Sequence, residues 1–250
     1  MTRKVILTLA VLAAIIVATT LSGCTTTTTT TPTAGGEATP APTTSGTTTV
    51  TGGAPTVTYD GDNFKIAGSK GGSVKANIKE GGYLIEYKHK GYSFTFKMGT
   101  STLNPGGQYP DATTGWAEFE KVQRFYSGGE MEFSVEAKDQ YEITFTKLPM
   151  SATADTLPKT YSDKGLKVVG PMSLKEGQVN LKISAPDLKQ AGFTVELYDG
   201  TTGVSEARAV PAGNANNFDG TVPLTIDADG TYLLEVSANG QAEWTIEVSQ

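Results

Sequence analysis

The chain of 250 residues holds a single cysteine, Cys24, and a single histidine, His89. One cysteine cannot close an intrachain disulfide, so folded domains here must be held by core burial alone. With no second histidine or thiol, a histidine-rich or cysteine-rich metal site is excluded, and a Ser/His/Asp triad would depend wholly on His89. That residue stands in Lys88-His89-Lys90-Gly91, which reads as a hairpin turn and predicts a solvated ring. Positive charge is scarce as well: 20 Lys and Arg face 26 Asp and Glu, a net charge of −6. A dispersed acidic surface argues against nucleic acid as a partner and against docking on anionic lipid. No segment of useful length carries a 3.6-residue apolar period, so helices are not expected.

Chemical motifs are equally sparse. Glu118 with Glu120 and Glu130 with Glu132 stand two apart, so each pair shares one face of a strand, opposite Phe119 or Met131, and is expected to be solvated. Asp60-Gly61-Asp62-Asn63 and Asp227-Ala228-Asp229-Gly230 have alternating oxygens but lack the full spacing and closing glutamate of a calcium loop, and read as tight turns. Gly68-Ser69-Lys70-Gly71-Gly72-Ser73 lacks the order of a phosphate loop and reads as a flexible connection. No catalytic residue, metal or cofactor is therefore expected.

What the chain does have begins at its start. Arg3 and Lys4 precede an apolar segment over residues 5–20, followed by small residues, the layout of a secretory signal. The segment is short for a membrane span and lacks a basic stop-transfer flank. Leu21-Ser22-Gly23-Cys24 resembles a prokaryotic lipobox. The resemblance implies a diacylglycerol on the Cys24 sulfur and cleavage just before it, with two acyl chains giving stable attachment. Loss of Arg3 and Lys4 with the signal would lower the 20 basic residues to 18, against 26 acidic ones. Seven threonines, 25–31, follow at once, and residues 25–55 are almost wholly Thr, Pro, Gly, Ala and Ser. Such a composition cannot bury enough apolar surface to offset its ordering entropy, which predicts a disordered stalk. Its ends would lie about 30 Å apart as a coil and about 100 Å apart when stretched. Threonine stalks directly after a lipobox resemble surface lipoproteins of archaea, with bacterial examples as the alternative. Ser/Thr-rich tracts with proline also suit O-linked sugar.

From residue 56 onward, short runs alternate apolar and polar residues between Gly, Asn and Asp, the period-2 pattern of half-buried strands. Tyr83, Ile85 and Tyr87 form one inward row, and Phe94, Phe96 and Met98 another. The second half repeats the first in order. Thr58-Tyr59 with Phe64 to Gly68 matches Thr160-Tyr161 with Leu166 to Gly170, and Ile78-Lys79-Glu80-Gly81 matches Leu174-Lys175-Glu176-Gly177. Tyr83, Ile85 and Tyr87 match Val179, Leu181 and Ile183, and Phe94-Thr95-Phe96 matches Phe193-Thr194-Val195. Thr113-Thr114-Gly115 matches Thr201-Thr202-Gly203, and Phe133 to Ala137 with Tyr141 matches Leu224 to Ala228 with Tyr232. The run Trp244 to Val248 reads as an extra strand without a partner in the first half. The expected fold is all-β: two tandem, internally duplicated β-sandwich domains, immunoglobulin-like or jelly-roll, after a signal segment and a disordered linker. The boundaries are 1–23 for the signal, 24–55 for the lipidated cysteine and stalk, 56–148 for the first sandwich, 149–159 for a proline-flanked linker and 160–250 for the second.

One stretch stands out, residues 99–129, longer than its counterpart and holding Tyr109, Trp116 and Tyr126 among Gly, Pro and Asn. Aromatic rings on loops of a rigid sandwich suit sugar faces or partner side chains, so these three are the candidate ligand-binding residues, while the match of Trp116 with Val204 leaves part of the stretch open to the alternative of a core strand. The expected protein is exported, held to the cell membrane through Cys24, and presents its sandwiches to envelope polymer, glycan or a surface protein. The alternatives are an extracytoplasmic carboxylate-based hydrolase and an accessory subunit of a transport or secretion complex.

Overall fold

The computed structural model describes residues 53–104, 109–188, 191–238 and 240–250. The signal segment, Cys24 and nearly all of the stalk lie outside the described residues. Those described belong to one compact unit, 44–250, and contain no helix.

Nine strands build the first sandwich: β1 Thr56–Asp60, β2 Asn63–Gly68, β3 Gly72–Ile78, β4 Gly81–Lys90, β5 Phe94–Met98, β6 Ser101–Thr102, β7 Trp116–Phe125, β8 Gly129–Ala137 and β9 Tyr141–Lys147. They form sheets in the orders β1-β2-β9-β4-β7 and β3-β8-β5-β6. Eight strands build the second: β10 Lys159–Lys164, β11 Leu166–Leu174, β12 Gly177–Ala185, β13 Ala191–Asp199, β14 Ser205–Ala215, β15 Phe218–Ile226, β16 Gly230–Ala238 and β17 Glu243–Ser249. Their orders are β10-β17-β12-β15 and β11-β16-β13-β14.

Setting β2 against β10 and continuing in chain order superposes the two topologies strand for strand, with β1 left over. Both are eight-stranded jelly rolls, in which the last strand inserts between the first and third. Register agrees too: Ile85 pairs with Phe145 on β9, and Leu181, its equivalent, with Val248 on β17. The immunoglobulin-like alternative is thereby set aside.

This equivalence corrects part of the expected duplication. The blocks through the β3–β4 turn, β4 and β5 align with their true counterparts. The outer blocks are displaced by one strand, because they set β1 against β10 and β8 against β15. Trp244 to Val248 is not an extra strand: β17 is the counterpart of β9, and Tyr141, Ile143 and Phe145 stand where Trp244, Ile246 and Val248 stand. The displaced match at Thr113-Thr114-Gly115 has a chemical cause. Asp111 Oδ1 accepts the amides of Thr113 and Thr114, at 2.9 and 3.1 Å, and Asp199 Oδ1 accepts those of Thr201 and Thr202, at 3.1 and 2.6 Å. The same turn has been used at two unrelated connections, before β7 and before β14.

The alternation predicted for β4 is realised: Tyr83, Ile85 and Tyr87 are buried. The core of the first sandwich is aromatic, with Phe64 stacked on Phe145 at 4.1 Å and Tyr87 on Phe119 at 4.6 Å; the second is chiefly aliphatic, around Leu181, Ile183, Val195 and Leu197. His89 overturns the expected turn. It continues the inward row of β4, is 3% exposed and stacks on Phe94 at 4.5 Å; the turn starts one residue after Lys90. Burial lowers its pKa, partly offset by the Lys90 and Gly91 backbone. Its counterpart in the second sandwich is Ala185.

Residues 148–158 connect β9 to β10, one residue short of the expected linker end, and are held at Asp155. Its amide donates to the Pro171 carbonyl at 2.7 Å, and its carboxylate accepts from the Tyr161 hydroxyl at 2.9 Å.

Candidate ligand-binding surface at the sandwich junction

The edge strands β7 and β11 face each other across the junction, each hydrogen-bonded to only one neighbour in its own sheet. Their outward amides are capped by carboxylates. Glu120 on β7 accepts from the Val168 amide on β11 at 3.1 Å and from Lys167 Nζ at 2.9 Å. Glu235, beside Val168 on β16, accepts from the Val122 amide on β7 at 2.8 Å. Two open edges, otherwise templates for further strand pairing, are thus blocked reciprocally. Burial raises the Glu235 carboxyl to about 7, against the Val122 amide and Lys121, which favour its charged form. Val122, Leu148 and Leu233 make a small apolar cluster underneath. Gly82 and Gly203 let the backbones approach: a Cβ on Gly82 would stand 2.7 Å from the Gly203 nitrogen and the Thr202 carbonyl oxygen. The two sandwiches are therefore seated on each other by polar, apolar and steric contacts together.

Beside this seam lie three adjacent recesses that share lining residues. The first, of about 180 Å³, lies between the sandwiches and is lined by Asp111, Trp116, Glu118, Lys164, Lys167 and Gln241. The second, about 420 Å³, shares Asp163 and Lys164 with it and adds Glu243. The third, about 510 Å³, shares Gln241 with the first and Glu243 with the second, and Tyr109 forms its wall. Trp116 opens β7, paired with Lys90 on β4. Lys88 and Lys90 place their ammonium groups 5.2 and 5.0 Å from its ring centroid, which fixes the indole by cation–π attraction. Tyr109 is 58% exposed, and its ring centre lies 6.3 Å from that of Tyr92, itself 82% exposed. The Gln241 amide donates to the Tyr109 carbonyl at 3.2 Å and ties that loop to the second sandwich.

The charges lining these recesses are mostly spoken for. Lys164 pairs with Asp111, Lys88 with Glu118, both at 2.7 Å, and Lys167 with Glu120 at 2.9 Å. The Lys164 bond, then the Thr114 and Thr113 amides, hold the Asp111 carboxyl at about 2. Asp163 and Glu243 have no ion-pair partner among the described residues.

Two of the three predicted aromatic residues, Tyr109 and Trp116, are thus brought to one surface. Tyr126 is not: it follows β7 at the other end, about 30 Å away along ten residues of strand, packed on Arg124 at 5.3 Å. The stretch 99–129 is not one loop, because β7 occupies its centre with Phe119 and Phe125 turned into the core and Val122 turned to the seam. Sequence reading missed Tyr92, which lies outside that stretch, and Glu235, whose isolated position on a strand carries no motif. The carboxylate pairs separate: Glu118 and Glu120 serve Lys88 and Lys167, while Glu130 pairs with Lys75 at 2.7 Å. The two turn segments behave as turns, Asp62 pairing with Lys79 and Asp229 with Lys175. Among the described residues no group of three His, Cys, Asp or Glu side chains is placed to hold a metal ion.

No protein-family model and no curated protein sequence matches the chain. Among solved structures it is similar to the tandem CBM22-1-CBM22-2 domain of Xyn10C from Paenibacillus barcinonensis, at 12% identity, covering 80% of this chain and 92% of that one, with a TM-score of 0.22. It is also similar to a cupin 2 conserved barrel domain protein from Leptotrichia buccalis, at 13% identity over 81% and 91% of the two chains, with a TM-score of 0.24. A triple jelly-roll protein of an archaeal virus turret is similar at 12% identity over 73% and 56%, with a TM-score of 0.22. These likenesses concern β-sandwich architecture alone.

Proposed function

We propose that this protein is a lipid-anchored surface protein, attached through Cys24 and carried on its Thr-rich stalk, which presents two seated jelly rolls for binding to envelope polymer, glycan or a surface protein. The supporting observation is the junction surface. Exposed or half-exposed aromatic rings border three adjacent recesses, and the backbone behind them is stiffened by the reciprocal carboxylate caps. Trp116, held by two ammonium groups, loses little freedom on binding, which suits recognition. Binding rather than catalysis is the reading favoured here, because the partly buried carboxylates Glu120 and Glu235 accept backbone amides across the seam and are engaged in structure.

The anchor is tested by feeding cells a labelled lipid precursor, a fatty acid or mevalonate. The wild-type chain takes up label and sediments with membranes, and Cys24→Ser loses both. A Cys24→Ser chain that still carries label refutes the anchor. Binding is tested by crosslinking the full chain at the cell surface and by glycan array; no partner in either refutes the presenting role.

A further inference from the structure

We propose that the adjacent recesses at the sandwich junction bind an uncharged oligosaccharide chain, with Tyr92, Tyr109 and Trp116 as stacking surfaces and Asp163, Glu243 and Gln241 as hydrogen-bonding groups. The inference rests on the binding reading above and gives that binding a place and a ligand chemistry.

The shape points to an extended ligand. The three recesses, about 180, 420 and 510 Å³, adjoin through shared lining residues, an arrangement that an extended chain can occupy along its length where a compact molecule would fill only one. The surface chemistry points to sugar. Trp116 is held in place by Lys88 and Lys90, and the Tyr92 and Tyr109 rings stand exposed side by side. Flat apolar rings beside polar groups match the alternating C–H faces and hydroxyl edges of a pyranose.

Charge decides the class of sugar. The recess ammonium groups of Lys164 and Lys167 are each matched by a carboxylate within 2.9 Å, whereas Asp163 and Glu243 line the same recesses without such a partner. A polyanion would meet these two carboxylates and, among the described residues lining the recesses, no ammonium group without a carboxylate partner. A neutral hydroxyl-rich chain instead donates hydrogen bonds to both carboxylates, which are stronger acceptors than neutral oxygens. Gln241 reaches the Tyr109 carbonyl with its amide nitrogen, leaving its amide oxygen as a further acceptor.

The test is calorimetric titration of the full chain, in a detergent without a sugar headgroup, with cellohexaose, laminarihexaose and mannohexaose. Hexagalacturonate and a glucosamine hexamer supply negative and positive charge. At least one neutral hexamer should bind, more tightly than either charged one. Tyr109→Ala should weaken it at least tenfold, and Glu243→Gln severalfold, with unchanged thermal melting. Tyr126→Ala, at a still more exposed ring at the far end of β7, should leave affinity unchanged. Tighter binding of a charged hexamer overturns the neutral class, and binding insensitive to Tyr109→Ala overturns the site. Failure of all hexamers overturns the inference, while a protein crosslinked at the cell surface would still leave the wider binding role standing.

Discussion

Replacing Glu235 by glutamine isolates the cost of burying one carboxyl at the seam between the sandwiches. Its pKa rises from the ordinary 4.5 to about 7, with desolvation the main cause. Below pH 4.5 the group is protonated in folded and unfolded chains alike. Between 4.5 and 7 the folded chain keeps a proton that the unfolded chain has released, so stability falls as pH rises through that window. At about 1.4 kcal/mol per decade of pH, the loss above pH 7 comes to roughly 3 kcal/mol. Glutamine is neutral at every pH, and its amide oxygen still accepts the Val122 amide. The stronger bond that the carboxylate accepts from the Val122 amide is already contained in that pKa. Charges facing Glu235 act weakly by comparison: Lys121 on β7 and Arg208 on β14 favour ionisation, and Glu196 on β13 opposes it. Glu235→Gln should therefore be within about 1 kcal/mol of wild type at pH 5 and more stable by about 3 kcal/mol at pH 8. Urea denaturation of both proteins at pH 5, 6, 7 and 8 reads the difference, with other titrating groups cancelling between them. A stability difference that stays constant from pH 5 to pH 8, or a variant less stable at pH 8, refutes the reasoning.

Gly82→Ala places a methyl group against the Gly203 and Thr202 backbone across the seam; a cost of about 1–3 kcal/mol and a larger radius of gyration in small-angle scattering are expected, and unchanged scattering with unchanged melting would contradict the close approach. Phe145→Ala removes a fully buried ring stacked on Phe64 and should lose about 3–5 kcal/mol by chemical denaturation; a loss below 1 kcal/mol would show that the aromatic core is not packed as described. His89 has its pKa lowered by burial, so the unfolded chain takes up its proton first and stability falls as pH drops below 6.5. His89→Phe should remove that part of the acid sensitivity between pH 6.5 and 5, read as a flatter melting-temperature profile; a profile parallel to wild type would place the ring in solvent.

Much of this was readable along single strands. The alternation of Tyr83, Ile85 and Tyr87 named the inward face of β4, and the Lys79-Glu80-Gly81 and Lys175-Glu176-Gly177 turns located true equivalents, because side-chain period and turn chemistry are local. His89 was misplaced by its lysine and glycine neighbours, which imitate a turn, although it sits on the inward parity of its own strand. The threonine-glycine turns before β7 and β14 misled for a related reason: an aspartate capping two amides recurs wherever the chain turns that way, whatever the strand order.

The junction surface was readable only in part. Tyr109 and Trp116 drew notice as aromatic residues among turn formers, but Tyr126 did too, and only the ten-residue run of β7 separates them in space. Glu120 and Glu235 lie 115 positions apart, with nothing local in common, and their reciprocal caps exist only because β7 and β11 are both edge strands facing one seam. The amino-acid sequence by itself determined which residues point inward, where the chain turns, that two similar all-β units follow one another, and that disulfides hold neither. Tertiary structure alone decided the jelly-roll order, the pairing of β9 with β17 as counterparts, and which rings share a surface. The physical reason is that period-2 alternation assigns each side chain a face without assigning its strand a neighbour. Neighbours are chosen by long-range burial, as when β2 crosses about eighty residues to pair with β9.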